Sequence, residues 1–323
     1  MMNESLNFSN NGSTGGLNGT EESQSSIKTK TYALPLTIFA LILCALGLLG
    51  NGIVIWFLCL RIKRNQFTIY ILNLAVADFT FLFGLWVWMM YTFCYLNGLR
   101  KSVIEQTYMA FITGLFYNFG FNASTYFLMI IALERCIAAK YPFWYQCQRP
   151  KNLSTYMCLM FWLLSVLVTG LENFICVDGK QYLDPGSENC TYVYFLTSAL
   201  YLTVVPIMVV SSITLIVTVQ MTSKLWHHVK PYIVIAISVT VFLMSVVPAR
   251  ILGLLLYFKI LQAEEYLVAF FFATSLCSAF NCSANPYIYI AIGRLGKEKM
   301  EESSIKHVLE KVFKDVAANQ NIP

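Results

Sequence analysis

Five ionisable residues lie inside long apolar stretches of this chain: Asp78, Glu134, Arg135, Glu172 and Arg250. A charge in such surroundings is costly unless a partner, an ion or a ligand meets it, so each marks a place where chemistry is expected. Asp78 closes the run Asn73-Leu74-Ala75-Val76-Ala77-Asp78 and offers a carboxylate to an ion or to buried polar groups. Glu134 and Arg135 are adjacent opposite charges. They can pair locally and release each other when a partner docks, or simply reach out to the membrane interface. The run Asn285-Pro286-Tyr287-Ile288-Tyr289 places amide and phenol groups beside a proline that removes a backbone donor. Pro206 and Pro248 add two further weak points, and kinks beside buried polar groups suit a bundle with two conformations. Hydrolytic or metal chemistry has no comparable support. His227, His228 and His307 lack acidic partners at ligand spacing, and the first two read as solvated loop residues. There is no H-E-x-x-H, C-x-x-C, P-loop or G-x-S-x-G, so no enzyme is expected.

The elements that carry these residues follow from composition. Of 323 residues, 57% are hydrophobic and 12% charged. A soluble domain runs at about 45–50% apolar and about 25% charged, so this chain cannot cover a soluble surface of its size. A membrane helix needs about 20 apolar residues. Seven stretches qualify, near 33–59, 67–93, 107–133, 153–176, 192–219, 231–258 and 266–292. They are continuously apolar rather than alternating, which excludes a β-barrel. The expected fold is an all-α membrane protein, a seven-transmembrane helix bundle. Three segments follow: a disordered, glycosylated extracellular tail over 1–31, the bundle over 32–292, and a cytosolic amphipathic helix with a short tail over 293–323.

Orientation follows from the basic residues. Six of the 22 Lys and Arg fall before the first stretch or after even-numbered ones, fifteen fall on the other side, and Arg250 is left inside a span. The positive-inside rule then puts the N-terminus outside and the C-terminus in the cytosol of a plasma-membrane protein. The net charge of +5 reflects this topology and implies no nucleic-acid partner. The N-x-S/T acceptors Asn3, Asn7, Asn11, Asn18 and Asn189 all fall on the side assigned as external. Beyond the last span, Ile305, Val308, Leu309, Val312, Phe313 and Val316 recur at helical spacing among lysines. Such a helix lies on membrane lipids of the inner leaflet.

Together these marks resemble the rhodopsin-like (class A) G-protein-coupled receptors. The matching residues are Gly50-Asn51, Leu74-Ala75-Val76-Ala77-Asp78, Glu134-Arg135-Cys136, Trp162, Pro206, Pro248 and Asn285-Pro286-x-x-Tyr289, in order along all seven spans. A closer resemblance, over roughly residues 35–315, is to the Mas and Mas-related receptors. It is carried by Trp56-Phe57-Leu58-Cys59, Phe67-Thr68-Ile69-Tyr70-Ile71, Tyr141-Pro142-x-Trp144-Tyr145, Cys147-Gln148-Arg149-Pro150-Lys151, Ser211-Ser212 and Ser283-Ala284-Asn285-Pro286.

The resemblance implies a receptor that binds an extracellular peptide or small-molecule ligand and activates heterotrimeric G proteins. It implies that Glu134, Arg135, Asn285, Pro286 and Tyr289 serve coupling and activation. Val246 stands where class A receptors keep a toggle tryptophan, which leaves Phe242 as the expected packing pivot. Ala110 replaces the usual bridge cysteine, and Mas-related receptors instead join the positions of Cys176 and Cys190. An external location is oxidising, which suits that pairing. His228 replaces the acidic residue that often restrains Arg135, so resting restraint is expected to be weak. Ala279 and Tyr117 stand where opsins and biogenic-amine receptors keep their ligand-binding lysine and aspartate, which argues against retinal and biogenic amines.

Glu172 resembles the acidic pocket residue that engages basic ligands in the Mas-related family, while Tyr194 replaces a second acid there. Glu172 also sits four residues before Cys176, on the same face one turn deeper. Arg250 is expected to meet an anionic ligand group or to pair with Glu172; Tyr91, Tyr117, Tyr194 and Tyr257 could line the same cavity. Asp78, Ser124, Asn281 and Asn285 match the family's sodium site, whereas Gly120 and Val246 do not. The only cofactor expected is therefore an allosteric sodium ion, the tentative metal at Asp78. The rival reading is a membrane transporter or channel that uses the intramembrane charges, although neither an internal repeat nor a pair of matching broken helices is present.

Overall fold

The computed structural model describes residues 18–61, 65–99, 102–150, 152–175, 188–221, 226–257 and 267–294. Within these ranges it leaves the side chains of 18–30, 188–190, 194, 219–232, 249–250, 252–257 and several others outside the description. The described residues are helical apart from short turns, with no strand among them. The helices are α1 (Asn18–Leu60), α2 (Gln66–Leu96), α3 (Val103–Lys140), α4 (Pro142–Cys147), α5 (Leu153–Gly170), α6 (Glu188–Met221), α7 (Trp226–Tyr257) and α8 (Leu267–Arg294). A π-helical turn, Leu171–Ile175, continues α5. All seven apolar stretches thus fall on helices, and α4 is a short connector. Among the described residues, five helical segments are long and apolar enough to cross a bilayer: Thr31–Leu60, Gln66–Leu96, Glu105–Lys140, Leu153–Ile175 and Thr191–Thr218. Ile233–Pro248 is a shorter apolar helix.

The start of α1 departs from the sequence expectation. The segment 1–31 reads as disordered because it is polar, yet the helix begins at Asn18. From Thr20 to Leu34 the chain contains no glycine or proline. Once the apolar part of a helix is nucleated by packing, extending it through such residues is cheap. Asn3, Asn7 and Asn11 lie outside the described residues, as does the amphipathic segment beyond residue 294. His227 and His228 fall in the first turn of α7 rather than in a loop.

α3 is the hub: it packs against α2, α5, α6, α7, α4 and the π turn, while α8 closes the ring against α1, α2 and α7. Two glycines bring one helix backbone directly against another. A Cβ on Gly84 of α2 would come within 2.8 Å of the Tyr117 backbone nitrogen. A Cβ on Gly120 of α3 would overlap the backbone of Phe81. The helix termini near the charged residues are chemically defined. Asn65 caps α2, its side-chain oxygen accepting from the backbone N–H groups of Phe67 at 3.0 Å and Thr68 at 2.7 Å. Thr68 Oγ1 in turn accepts from the Asn65 N–H at 2.8 Å, completing a capping box. α3 stops at Tyr141 because Pro142 cannot continue it, and Pro142 then opens α4 from its first position.

Candidate functional site

The buried polar groups form three clusters along α3. The first is at the Arg135 end. Glu134 and Arg135, expected as a local pair, do not pair with each other. Neighbouring helix positions point about 100° apart, so such a pair needs both long side chains to bend back, and a cation that faces Glu134 directly competes well for it. Glu134 Oε1 accepts instead from Arg149 Nη2 at 2.8 Å, the one ion pair among the described residues. The same oxygen accepts from the Tyr70 hydroxyl at 3.1 Å. Arg149 Nη2 also donates to Ser154 Oγ at 2.8 Å. Arg135 Nη2 donates to the Tyr145 hydroxyl at 2.6 Å. Its guanidinium carbon lies 4.4 Å from the ring centre of Phe67 and 5.4 Å from that of Tyr145.

These groups are positioned by backbone features already described. The Asn65 cap sets α2 so that Phe67 and Tyr70, three residues apart, present to Arg135 and Glu134 in turn. The Trp144 carbonyl accepts from the backbone N–H of Arg149 at 3.0 Å, tethering that residue at the end of α4. All of Tyr70, Glu134, Arg135, Tyr145, Arg149 and Ser154 are buried. Burial pushes the Tyr145 phenol above its ordinary range, so it stays protonated, although the adjacent Arg135 charge pulls it the other way. Burial alone would weaken the Arg149 cation, but the bond to Glu134 and the surrounding negative charge more than offset this, and it remains charged.

The second cluster surrounds Asp78, which is 0% exposed. Its two oxygens accept from the Ser124 hydroxyl and, at 2.9 Å, from Asn285 Nδ2. The α2, α3 and α8 residues picked out by sequence are thus brought together. Asn281 and Asn285 each bury a side-chain oxygen that accepts no hydrogen bond among the described residues. A carboxylate, a hydroxyl and two amide oxygens are the hard donors that suit a hard monovalent cation, so the residues fit sodium. The mismatch at Gly120 has a physical reason: no side chain fits there against Phe81. Among the described residues no group of three His, Cys, Asp or Glu could hold a metal. Asn51 of α1 fastens this layer, donating to the Gly47 carbonyl at 2.9 Å and the Cys282 carbonyl at 3.1 Å. Trp162 Nε1 donates to Asn73 Oδ1 at 2.7 Å. Phe242, the expected pivot, is 1% exposed and packs on Tyr201 of α6 at 6.2 Å. Tyr289 is also buried, close to the α8 proline Pro286.

The third cluster is at the Glu172 end. Glu172 lies in the π turn and is half-buried. Its Oε2 accepts from Asn122 Nδ2 at 3.2 Å. Asn122 also reaches Thr169 Oγ1 at 3.4 Å, and one turn along α3 Asn118 reaches Asn173 Oδ1 at 3.4 Å. The turn that holds Glu172 closes i→i+5 hydrogen bonds, unlike the regular helix before it. Of the expected cavity aromatics, Tyr91 is buried and stacks on Trp88 at 5.6 Å, and Tyr117 packs on Phe81 at 4.8 Å. Both contacts are packing. Cys176 lies outside the described residues, as do the side chains of Cys190, Asn18, Asn189, Tyr194, Arg250 and Tyr257.

Sequence reasoning missed Arg149, Tyr145, Ser154 and Asn122 as functional residues. The first two stand in strings that mark the family, and that was the available signal.

A seven-helix bundle with its polar groups strung along one central helix is the architecture of a membrane receptor. The family model described as 7 transmembrane receptor (rhodopsin family) matches residues 50–289. The chain is 34% identical to the Proto-oncogene Mas of Rattus norvegicus, over 92% of this chain and 89% of that one. It is 37% identical to the Proto-oncogene Mas of Mus musculus, over 84% and 81%. With the Mas-related G-protein coupled receptor member H of Mus musculus the identity is 36%, over 88% and 86%. The chain therefore belongs to the Mas and Mas-related receptors within the rhodopsin family of G-protein-coupled receptors. It is a multi-pass plasma-membrane protein with a ligand and a heterotrimeric G protein as partners, and its family is one of signalling receptors rather than enzymes.

Proposed function

We propose that this receptor takes a peptide or small-molecule ligand bearing a cationic group at the Glu172 end, which faces the cell exterior. The observation that carries the reading is Glu172 itself: a half-buried carboxylate in an apolar bundle, whose Oε2 meets Asn122 Nδ2 at 3.2 Å. An ionisable group at such a place in a membrane protein is a functional residue by default. Arg250 takes an anionic group of the same ligand. The aromatic walls are Tyr117, Tyr91, Tyr194 and Tyr257.

The N-terminus is outside, carrying glycans at Asn3, Asn7, Asn11, Asn18 and Asn189, and the C-terminus is cytosolic with an amphipathic helix on inner-leaflet lipids. A disulfide between Cys176 and Cys190 ties the tops of α5 and α6. The ligand prefers a conformation in which α7 swings outward, and so shifts an existing equilibrium. Arg135 then leaves Tyr145 and meets the G-protein α-subunit; ligand and G protein raise each other's affinity. Asp78, Ser124, Asn281 and Asn285 would hold a sodium ion that favours the resting state. The test is a screen of cationic peptides and amine-bearing small molecules against wild type and Glu172→Gln. Agonists that activate wild type should lose at least about tenfold in potency on the variant, the order expected when a charged partner is neutralised. Unchanged potency for every agonist would place the ligand elsewhere.

A further inference from the structure

The Arg135 end contains one carboxylate and two guanidinium groups, all buried. Glu134 can satisfy either Arg135, its neighbour in sequence, or Arg149, fifteen residues on. The structure gives it to Arg149. Arg149 is preset for this: its backbone N–H is tethered to the Trp144 carbonyl, and Pro150 follows it. Its Nη2 is shared between Glu134 and Ser154. Its guanidinium also lies 5.0 Å from the centre of the Tyr145 ring, the ring whose hydroxyl receives Arg135. Among the described residues Arg135 is therefore held by a neutral hydroxyl and two ring faces, and its Nε makes no hydrogen bond.

We propose that Arg149 is a positioning residue for G-protein coupling: it occupies Glu134 so that Arg135 stays free of an ion pair and is released at low cost. A bond between charged groups is roughly twice as strong as one to a neutral acceptor. A receptor that had to break an Arg135–Glu134 ion pair would bind its G protein more weakly than one that breaks the bond to Tyr145. Without Arg149, Glu134 would be a buried unpaired charge, which is costly, and Arg135 is the nearest cation left to satisfy it. The inference rests on the coupling function shared by the family and not on where the ligand binds.

The experiment measures the affinity of purified full-length receptor, in lipid nanodiscs, for nucleotide-free heterotrimeric G protein. It uses the G-protein class that binds wild type most tightly and needs no agonist. Arg149→Gln should weaken binding about fivefold, the low end of typical coupling between two sites. The double variant Arg149→Gln/Glu134→Gln should bind more tightly than Arg149→Gln alone, because the acid that would capture Arg135 is gone. Arg149→Lys, which keeps a cation for Glu134, should stay closer to wild type than Arg149→Gln. A loop residue with a merely structural role would give no rescue: a double variant as weak as Arg149→Gln overturns the proposal, as does an Arg149→Gln that binds as well as wild type. If Arg149→Gln fails to fold, Arg149→Met and Arg149→Met/Glu134→Gln replace it, and the same comparison of the double with the single variant supports or overturns the assignment.

Discussion

The Arg135 end of α3 and the Glu172 site beside its middle hold their charges in different ways. At the Arg135 end the contacts are short, 2.6 Å to Tyr145 and 2.8 Å from Arg149 to Glu134, and every member is buried. At the Glu172 end the bonds are 3.2–3.4 Å, made by amides, and the acid is half-buried on a π turn. The first is a closed arrangement in which each bond must be exchanged for another before anything moves. The second is joined through longer bonds to amide groups, on a π turn rather than between regular helices. The contrast fits the proposal that the Arg135 end meets the G protein and the Glu172 site the ligand.

The strongest way to break the comparison is Arg135→Ala. It should abolish ligand-independent G-protein dissociation in cells at equal surface expression, while leaving agonist binding detectable at the other end. Loss of both would mean that the ends cannot be separated. A wedge between them comes next. Gly120→Ala pushes a methyl into the Phe81 backbone. Overpacking of this kind costs about 1–3 kcal/mol, read as a lower Tm of the purified receptor in detergent. An unchanged Tm would mean that α2 and α3 can separate slightly without penalty. The smallest effect is expected at Asn122→Ala. Because the amide occupies part of Glu172, its removal should raise the affinity of a cationic agonist by about twofold, less than a full hydrogen bond is worth. A fall in affinity would show that Asn122 aims the carboxylate at the ligand rather than sharing it.

Much of this was legible in sequence where long helices fix geometry. Asp78, Ser124 and Asn285 sit on three helices whose apolar runs have to pack side by side, so their meeting followed from the spans and the family marks. The partner of Glu134 was not legible. Arg149 and Tyr145 lie on and just after a six-residue helix whose path between α3 and α5 is set by Pro142 and by tertiary packing, not by periodicity. Arg149 also counted as one of many basic residues that set topology, which hid its role as a buried partner. The π turn that holds Glu172 left no mark in composition. The beginning of α1 was misread for the opposite reason: polarity was taken as disorder in a stretch that a packed helix can extend through.

The glycine contacts of Gly84 and Gly120 have a mechanical consequence. They bring α2 and α3 backbone to backbone, with too little space between them for one helix to roll over the other. These two helices act as the stator of the machine, and α3 runs through it as a fixed shaft carrying charged groups at both ends. Any turning part has to come from the opposite side of the ring, where α7 packs mainly against α6 and α8. The bilayer bordering that side is then the bearing surface, and its thickness and lateral pressure load the moving half of the receptor far more than the fixed half.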